Sequence, residues 1–258
     1  PSRKVTYPEF APVRTLTAPT DTTVVGKEAE QVMLGWKMDG AASLQNDTLN
    51  VITYMLNNGT AGLLDLDVNQ PMLCLGAGAG CIDMRDYSQF VMVGQPNEGQ
   101  TLEAVKDILL AEINKLKRGD FSEKLLSSVK NNLKLNFLRS LDSNSSRANA
   151  FVQTFVNGRP WQTEVEKFDR INAMTKQQIV DFMNKHFTDG YAIVYKRMGE
   201  DTTQKKIDKP QITPIPSNRN LQSAFVKEIT ESEVTPIQPR FLDYDKDFQR
   251  AQTKRKLP

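Results

Sequence analysis

The chain has 258 residues, of which 39% are hydrophobic and 25% are charged, a composition typical of globular proteins with a sizeable core. Its 33 Lys and Arg residues nearly balance its 31 Asp and Glu residues, and a net charge of +2 gives no electrostatic case for nucleic acid or an anionic membrane as partner. No apolar run in the sequence approaches the roughly 18 residues that a membrane-spanning helix requires.

Proline divides the chain into three parts. Four of the 13 prolines lie near the start and six lie near the end, so segments poor in regular structure flank a folded body. We therefore predict an extended lead-in over residues 1–26, an α+β module over residues 27–198 and an extended proline-rich linker over residues 199–258. Because the chain starts at Pro1 without an initiator Met or a signal-peptide pattern, we expect it to be a piece of a longer polypeptide.

The first predicted elements of the module are a strand, a helix and a hairpin. The nearly continuous apolar run within residues 28–38 predicts a strand that is buried on both faces or lies near the centre of a sheet. Apolar residues recur at helical spacing over residues 41–57, and Asn58-Gly59 supplies a stop. Residues 72–83 and 88–94 are predicted to form the two arms of the hairpin.

A series of helices follows, then a strand. Capping-box patterns, in which a polar residue is followed three residues later by Glu or Gln, predict three of the helix starts: Asp120 with Glu123, Thr163 with Glu166, and Thr175 with Gln178. The predicted bounds are residues 101–117, 120–141, 145–156, 163–172 and 175–186 for the helices, 191–195 for the strand and 223–231 for a last short helix. This order predicts an α+β fold, in which a mainly antiparallel sheet is covered on one face by helices.

The reactive side chains form no recognisable catalytic group. His186 is the single histidine, and without a GxSxG motif to supply a nucleophile we interpret it as a ring near a helix C-terminus. Cys74 and Cys81 match neither a CxxC pair nor half of a zinc site, and we predict two small buried apolar residues. Asp83 and Asp86 at the hairpin tip are predicted to be ordinary turn aspartates.

Two loops imitate ligand-binding motifs. The segment Asp65 to Asn69 starts like an EF-hand loop, but Gln70 stands where that loop needs glycine, and Gly76 where it needs glutamate. The glycines of residues 76–80 imitate a nucleotide-binding loop, but Cys81 stands where the last glycine is needed. We therefore predict neither calcium nor nucleotide binding, and we expect the glycine run to let a helix lie close against the sheet.

Several stretches between residues 20 and 198 match one family of proteins in order and spacing. They are residues 31–36, 49–64 with the ending NNGTAGLL, 103–118, 144–161 and 171–187. Together they resemble the insulinase/pitrilysin family of zinc peptidases, to which the mitochondrial processing peptidases also belong. The resemblance implies that the parent protein contains several α+β modules of this kind.

The catalytic residues of that family are absent from the sequence. One module of a family member carries the motif HxxEH, whose histidines bind zinc and whose glutamate activates water. A single histidine cannot supply this motif, so the resemblance implies that zinc is bound by the first module of the parent. The family's substrate-holding Arg and Tyr are also missing, because Asp67 or Val68 and Leu73 or Cys74 stand in their places. We predict no catalytic, cofactor-binding or metal-binding residue in this chain.

The resemblance implies a structural role within a protease. The expected protein is the non-catalytic second module, with the linker between the halves, of a long bacterial zinc metalloendopeptidase, and the module alone is expected to be inactive. It would help to wall a chamber for peptides or unfolded polypeptides. The expected partners are other modules of the same chain and, in the parent, the peptide substrate, with no nucleic acid and no membrane span. Similarity to long bacterial members favours a periplasmic or exported location.

Two alternatives remain open at this point. The chain could come from a wholly non-catalytic scaffold or binding relative, like the core proteins of the respiratory complexes. It could also be one half of a two-chain peptidase whose partner supplies the zinc. An intact HxxEH motif upstream of Pro1 favours the first interpretation over the scaffold.

Overall fold

The computed structural model describes residues 12–201, 210–214, 218–243 and 245–249. They belong to two compact units, one that ends at Lys205 and one that begins at Lys206. No helix in these described ranges is long and apolar enough to cross a membrane.

The first unit is built on one five-stranded sheet. Its strands are β1 (Thr20–Gly26), β2 (Gln31–Asp39), β3 (Gly76–Ile82), β4 (Tyr87–Gln95) and β5 (Ala192–Met198). They lie side by side in the order β1-β5-β2-β4-β3. Only β1 and β5 pair in parallel, while the other three pairs are antiparallel. The predicted α+β fold with a mainly antiparallel sheet is therefore confirmed.

Helices cover one face of the sheet. The helices of this unit are α1 (Gln45–Leu56), a π-helix (Asp65–Asn69), α2 (Leu102–Arg118), α3 (Glu123–Ser140), α4 (Asn144–Val156), α5 (Trp161–Val165), α6 (Lys167–Ala173) and α7 (Lys176–His186). Alternate residues of the central strand β2, such as Leu34 and Trp36, are buried under them, whereas Met33 and Lys37 on the opposite face are not. The strand therefore lies near the sheet centre, as one of the two predicted alternatives has it, with one fully buried face.

One glycine allows the closest approach of a helix to the sheet. A Cβ added at Gly94 of β4 would lie 2.4 Å from Cγ1 of Val105 on α2. The predicted role of the 76–80 run is wrong, because a Cβ at Gly76, Gly78 or Gly80 would meet nothing within 4 Å. In β3 the alternate residues Ala77 and Ala79 pack against the core instead.

Helix caps confirm one predicted start and correct two. Thr175 and Gln178 form the predicted capping box of α7. Helix α3 starts later than predicted, since Ser122 accepts from the backbone N–H of Leu125, while the carboxylate of Asp120 binds Arg118 at 2.8 Å. The predicted cap at Thr163 is wrong, because this residue lies inside α5, which begins after Pro160.

The start of the module differs from the predicted outline. Strand β1 lies within the segment predicted as a lead-in, and its Thr-rich, exposed residues give no apolar signal. Beyond the module, the predicted short helix is confirmed as α8 (Ala224–Glu231), capped by Ser223. The predicted lead-in over residues 1–11 and the linker positions 202–209, 215–217, 244 and 250–258 lie outside the described residues.

Candidate functional site

The C-terminal end of α1 is tied to the next helix by one carboxylate. Oδ2 of Asp65 accepts hydrogen bonds from the backbone N–H groups of Asn58 and Gly62, both at 3.0 Å. The chain must fold back closely here, since a Cβ at Gly62 would lie 2.4 Å from the carbonyl oxygen of Leu56. These contacts explain the NNGTAGLL segment, which ends α1 and leads into the π-helix.

Two asparagine side chains from the same region cover the outer edge of β3. Oδ1 of Asn57 accepts from the backbone N–H of Ala79 at 2.5 Å. Asn69 bonds Ala77 twice, accepting from its N–H at 2.8 Å and donating to its carbonyl at 3.0 Å. We call Asn57, Asn58, Asp65 and Asn69 the edge clamp. It masks backbone groups to which another strand would otherwise add.

The N-terminal end of α1 borders a polar cavity of about 220 Å³. Three parts of the first unit form its walls: α1, the end of β3 with the loop after it, and the segment from the α4–α5 turn to α6. The lining residues are Asn46, Asp47, Asn50, Thr53, Cys81, Asp83, Arg159 and Lys167. We call this space the polar cavity.

Ion pairs hold the charged walls of the polar cavity. Asp47, whose side chain is 2% exposed, binds Arg170 through Oδ2 at 2.8 Å. Arg159 binds Oε2 of Glu164 at 3.1 Å, and Lys167 approaches Oε1 of the same carboxylate at 3.4 Å. With Glu166, which lies 3.9 Å from Arg170, three carboxylates face three cations, so the network carries charges of both signs.

Three buried atoms in this wall have no hydrogen-bond partner among the described residues. They are Oδ1 of Asn46, Oδ1 of Asp47 and Nε of Arg159. The amide of Asn46 is oriented by its Nδ2, which donates to the carbonyl of Gly40 at 3.1 Å. A buried polar atom left without a partner costs about 1–3 kcal/mol. All three residues line the polar cavity, and because these atoms have almost no accessible surface, an occupant would bond them only after the side chains turn toward it.

The thiol in the cavity wall is held in its protonated form. Sγ of Cys81 donates to Oδ1 of Asp83 at 3.1 Å. Burial, this hydrogen bond and the charge of Asp83 raise the pKa of Cys81 to about 12. Cys74 is buried as predicted, but Cys81 is only partly buried and faces polar groups, which corrects the prediction for this residue. Cys81 is consequently a hydrogen-bonding group and a poor nucleophile at neutral pH.

The other residues considered from the sequence are not brought together. His186 ends α7, as predicted, and its ring lies 4.4 Å from that of Phe182. Burial, and then the charge of Lys185, lower the pKa of His186 and favour the neutral ring. Asp83 lines the polar cavity, whereas Asp86 lines a separate cleft with Tyr87. No group of three His, Cys, Asp or Glu side chains in the described ranges could hold a metal ion.

The positions that correspond to the substrate-holding pair have other roles. Asp67 binds Lys115 of α2 at 3.1 Å. Val68 and Cys74 are buried in the core, and Leu73 is 48% exposed. The absence of a substrate-holding pair here stays a prediction from the sequence.

One family of known domains matches this chain over much of its length. Residues 2–133, which are 132 of the 258 residues, match the family described as Peptidase M16 inactive domain. The chain is 27% identical to zinc protease PqqE of Helicobacter pylori (strain ATCC 700392 / 26695) over 139 residues. This aligned stretch covers 52% of this chain and 31% of that protein.

Solved structures share the fold. A protease from Helicobacter pylori superposes with a TM-score of 0.67 and 22% identity, over 71% of this chain and 45% of that one. A peptidase M16 inactive domain from Pseudomonas fluorescens gives a TM-score of 0.61 and 16% identity, over 77% of this chain and 48% of that one. The chain thus spans less than half the length of these relatives.

Proposed function

Because the chain belongs to the family of peptidase M16 inactive domains, we propose that it is a chamber-forming, non-catalytic module of a zinc-dependent endopeptidase. The family assignment confirms the resemblance drawn from the sequence. In the parent protein, another module binds the zinc and cleaves peptides or unfolded polypeptides. The observation that carries this proposal is the family match in a chain with one histidine, since the HxxEH motif needs two.

The surface of the first unit supports a partner within the same parent chain. On α4, Phe155 is 86% exposed and Phe151 is 57% exposed. Phe151 stacks on Trp161, with ring centroids 4.2 Å apart, and Trp161 is itself 43% exposed. Aromatic surface of this kind marks interaction sites, and the matched relatives are more than twice as long as the part that this chain covers. We therefore place another module of the parent against α4 and α5.

The edge clamp argues against binding of a substrate strand along β3. Peptides commonly bind proteins by adding a strand to an exposed sheet edge. Asn57 and Asn69 occupy the backbone groups of β3 that such a peptide would use. The module therefore contributes a closed wall at this edge.

The test is complementation of the parent's zinc module. The zinc module expressed alone should hydrolyse an unfolded polypeptide poorly, and addition of this chain, or restoration of the full parent, should raise the rate. In the added chain, Phe155→Ser should weaken this rise, whereas the matched control Lys124→Ser, on the exposed face of α3, should not. Full activity of the zinc module without this chain would overturn the structural role.

Two further observations test the scaffold alternative and the location of the parent, one for each. A parent sequence with no HxxEH motif would make the whole protein a non-catalytic relative. A periplasmic or exported location, implied by the resemblance to long bacterial members, predicts that cell fractionation recovers the parent outside the cytoplasm. Recovery with the cytoplasmic fraction would contradict that location and leave the module's role unchanged.

A further inference from the structure

We propose that the polar cavity binds a small free α-amino acid, with its ammonium group at Asn46 and Asp47 and its carboxylate at Arg159 and Lys167. The four side chains come from α1 and from the segment between residues 159 and 167. Two walls of opposite chemistry thus face one small space. Binding here is independent of whether the parent cleaves peptides.

The α1 wall supplies acceptors for the ammonium group. The carboxylate of Asp47 is 2% exposed, and its Oδ2 is taken by Arg170. Its Oδ1 has no hydrogen-bond partner within the described part of the chain, and the same holds for Oδ1 of Asn46, which is 8% exposed. An ammonium group donates up to three hydrogen bonds, and a bond to a buried carboxylate is stronger than one between neutral groups.

The opposite wall supplies donors for the carboxylate. Two nitrogens of Arg159 are already used, Nη1 by Glu164 at 3.1 Å and Nη2 by the carbonyl of Ser43 at 3.3 Å. Its Nε is buried without a partner in the described residues, although the guanidinium is held in place. Lys167 makes only a long contact with Glu164, at 3.4 Å, and its ammonium can turn toward the cavity. Guanidinium and ammonium groups together are a common carboxylate site.

Charge and size select an amino acid over other solutes. The lining residues Asp47 and Asp83 balance Arg159 and Lys167, so a ligand with no net charge but two charged ends is matched best. A volume of about 220 Å³ lies below the roughly 300 Å³ of the smallest drug-sized pockets. Glycine, alanine and serine are small enough to enter it.

The chemistry of the wall favours binding without reaction. Cys81, the one thiol of the lining, is protonated and donates to Asp83. No metal-holding group of side chains occurs in the described ranges. The cavity is therefore assigned as a binding site.

The test is calorimetric titration of the 258-residue chain with glycine, L-alanine and L-serine. At least one should bind at a concentration of about 10 mM or below, with N-acetyl-L-alanine and L-alanine methyl ester at least tenfold weaker than L-alanine or undetectable. Equal binding of the N-acetyl compound would show a simple anion site, and equal binding of the ester a simple cation site. Either result, or no binding of any of the three amino acids, would overturn the proposal.

Matched variants locate the binding. Asn50 lines the cavity and makes no side-chain hydrogen bond in the described structure, so Asn50→Leu fills the space at little cost and should weaken binding at least tenfold. Asn131→Leu makes the same change on the exposed face of α3 and should bind as the unchanged chain does. If Asn50→Leu fails to fold, Lys167→Gln should give a similar loss with L-alanine. Unchanged binding in both cavity variants would place the ligand elsewhere.

Discussion

The two ends of helix α1 use the same kinds of side chain for different purposes. At the C-terminal end, Asn57, Asn58 and Asp65 all bond to backbone groups and close the edge of the sheet. At the N-terminal end, Asn46 and Asp47 are buried like Asp65, yet each keeps an oxygen without a partner among the described residues. Burial of an asparagine or aspartate therefore does not distinguish structure from binding, whereas the completeness of its hydrogen bonds does.

The largest expected effect is on the Asp47–Arg170 ion pair at the cavity end, where stability and alanine binding should respond differently to two variants. Arg170→Met leaves the buried carboxylate of Asp47 unpaired and should lower the free energy of unfolding by about 3–4 kcal/mol. The double change Asp47→Leu with Arg170→Met removes both charges and should recover most of this loss, while abolishing alanine binding. Urea unfolding and calorimetry measure the two quantities. Retained binding in the double variant would show that Asp47 has no role in the cavity.

At the edge clamp, a substitution is expected to lower stability and to leave alanine binding unchanged. Asp65→Ala leaves the N–H groups of Asn58 and Gly62 without their acceptor and should lower the free energy of unfolding by about 2–3 kcal/mol. Alanine affinity, measured well below the midpoint of unfolding, should be unchanged. A loss of affinity as large as that of the cavity variants would remove the distinction between the two ends.

A smaller effect is expected where the clamp covers β3. Asn69→Ala removes two hydrogen bonds to Ala77 and should cost about 1–2 kcal/mol. It should also expose backbone groups of an edge strand, so sedimentation is expected to show self-association that grows with concentration. Asn131→Ala on the exposed face of α3 is the control and should show neither change. A monomeric, equally stable Asn69→Ala chain would contradict the masking role.

The smallest expected effect is a pH dependence near the clamp. Glu112 of α2 is buried beside Lys115, and burial raises its pKa above the ordinary value of 4.5. Because the folded state holds this proton more tightly, the resulting stability is full below pH 4.5 and is lost as the pH rises through the raised pKa. The stability of Glu112→Gln relative to the unchanged chain should therefore increase with pH over this window. A relative stability that falls with rising pH would contradict the sign.

Strongly periodic elements were predictable from the sequence. The sequence alone indicates the apolar runs of β2 and α2 and the capping box of α7, because each depends only on residues that are close together in the chain. The sequence does not indicate strand β1, because an exposed edge strand needs no apolar face. The orientation of the glycines in β3 was predicted wrongly because it depends on the register with β4, which pairs Gly78 with Val93.

The polar cavity could not be predicted, since its walls are far apart in the sequence. Helix α1 and Arg159 are separated by more than one hundred residues, as the contact between Ser43 and Arg159 shows. A local signal was present: Asn46, Asn50 and Thr53 recur at helical spacing beside the apolar stripe of α1. That stripe of polar residues predicts a polar contact, but only the fold shows which side chains complete it.

The most direct test of the central claim is hydrolysis of an unfolded polypeptide by the 258-residue chain in the presence of zinc. A non-catalytic module of a zinc peptidase should give no product above the zinc-only control, while the full parent cleaves the same substrate and loses that activity with a chelator. Zinc-dependent cleavage by the 258-residue chain itself, abolished by His186→Ala, would contradict the claim.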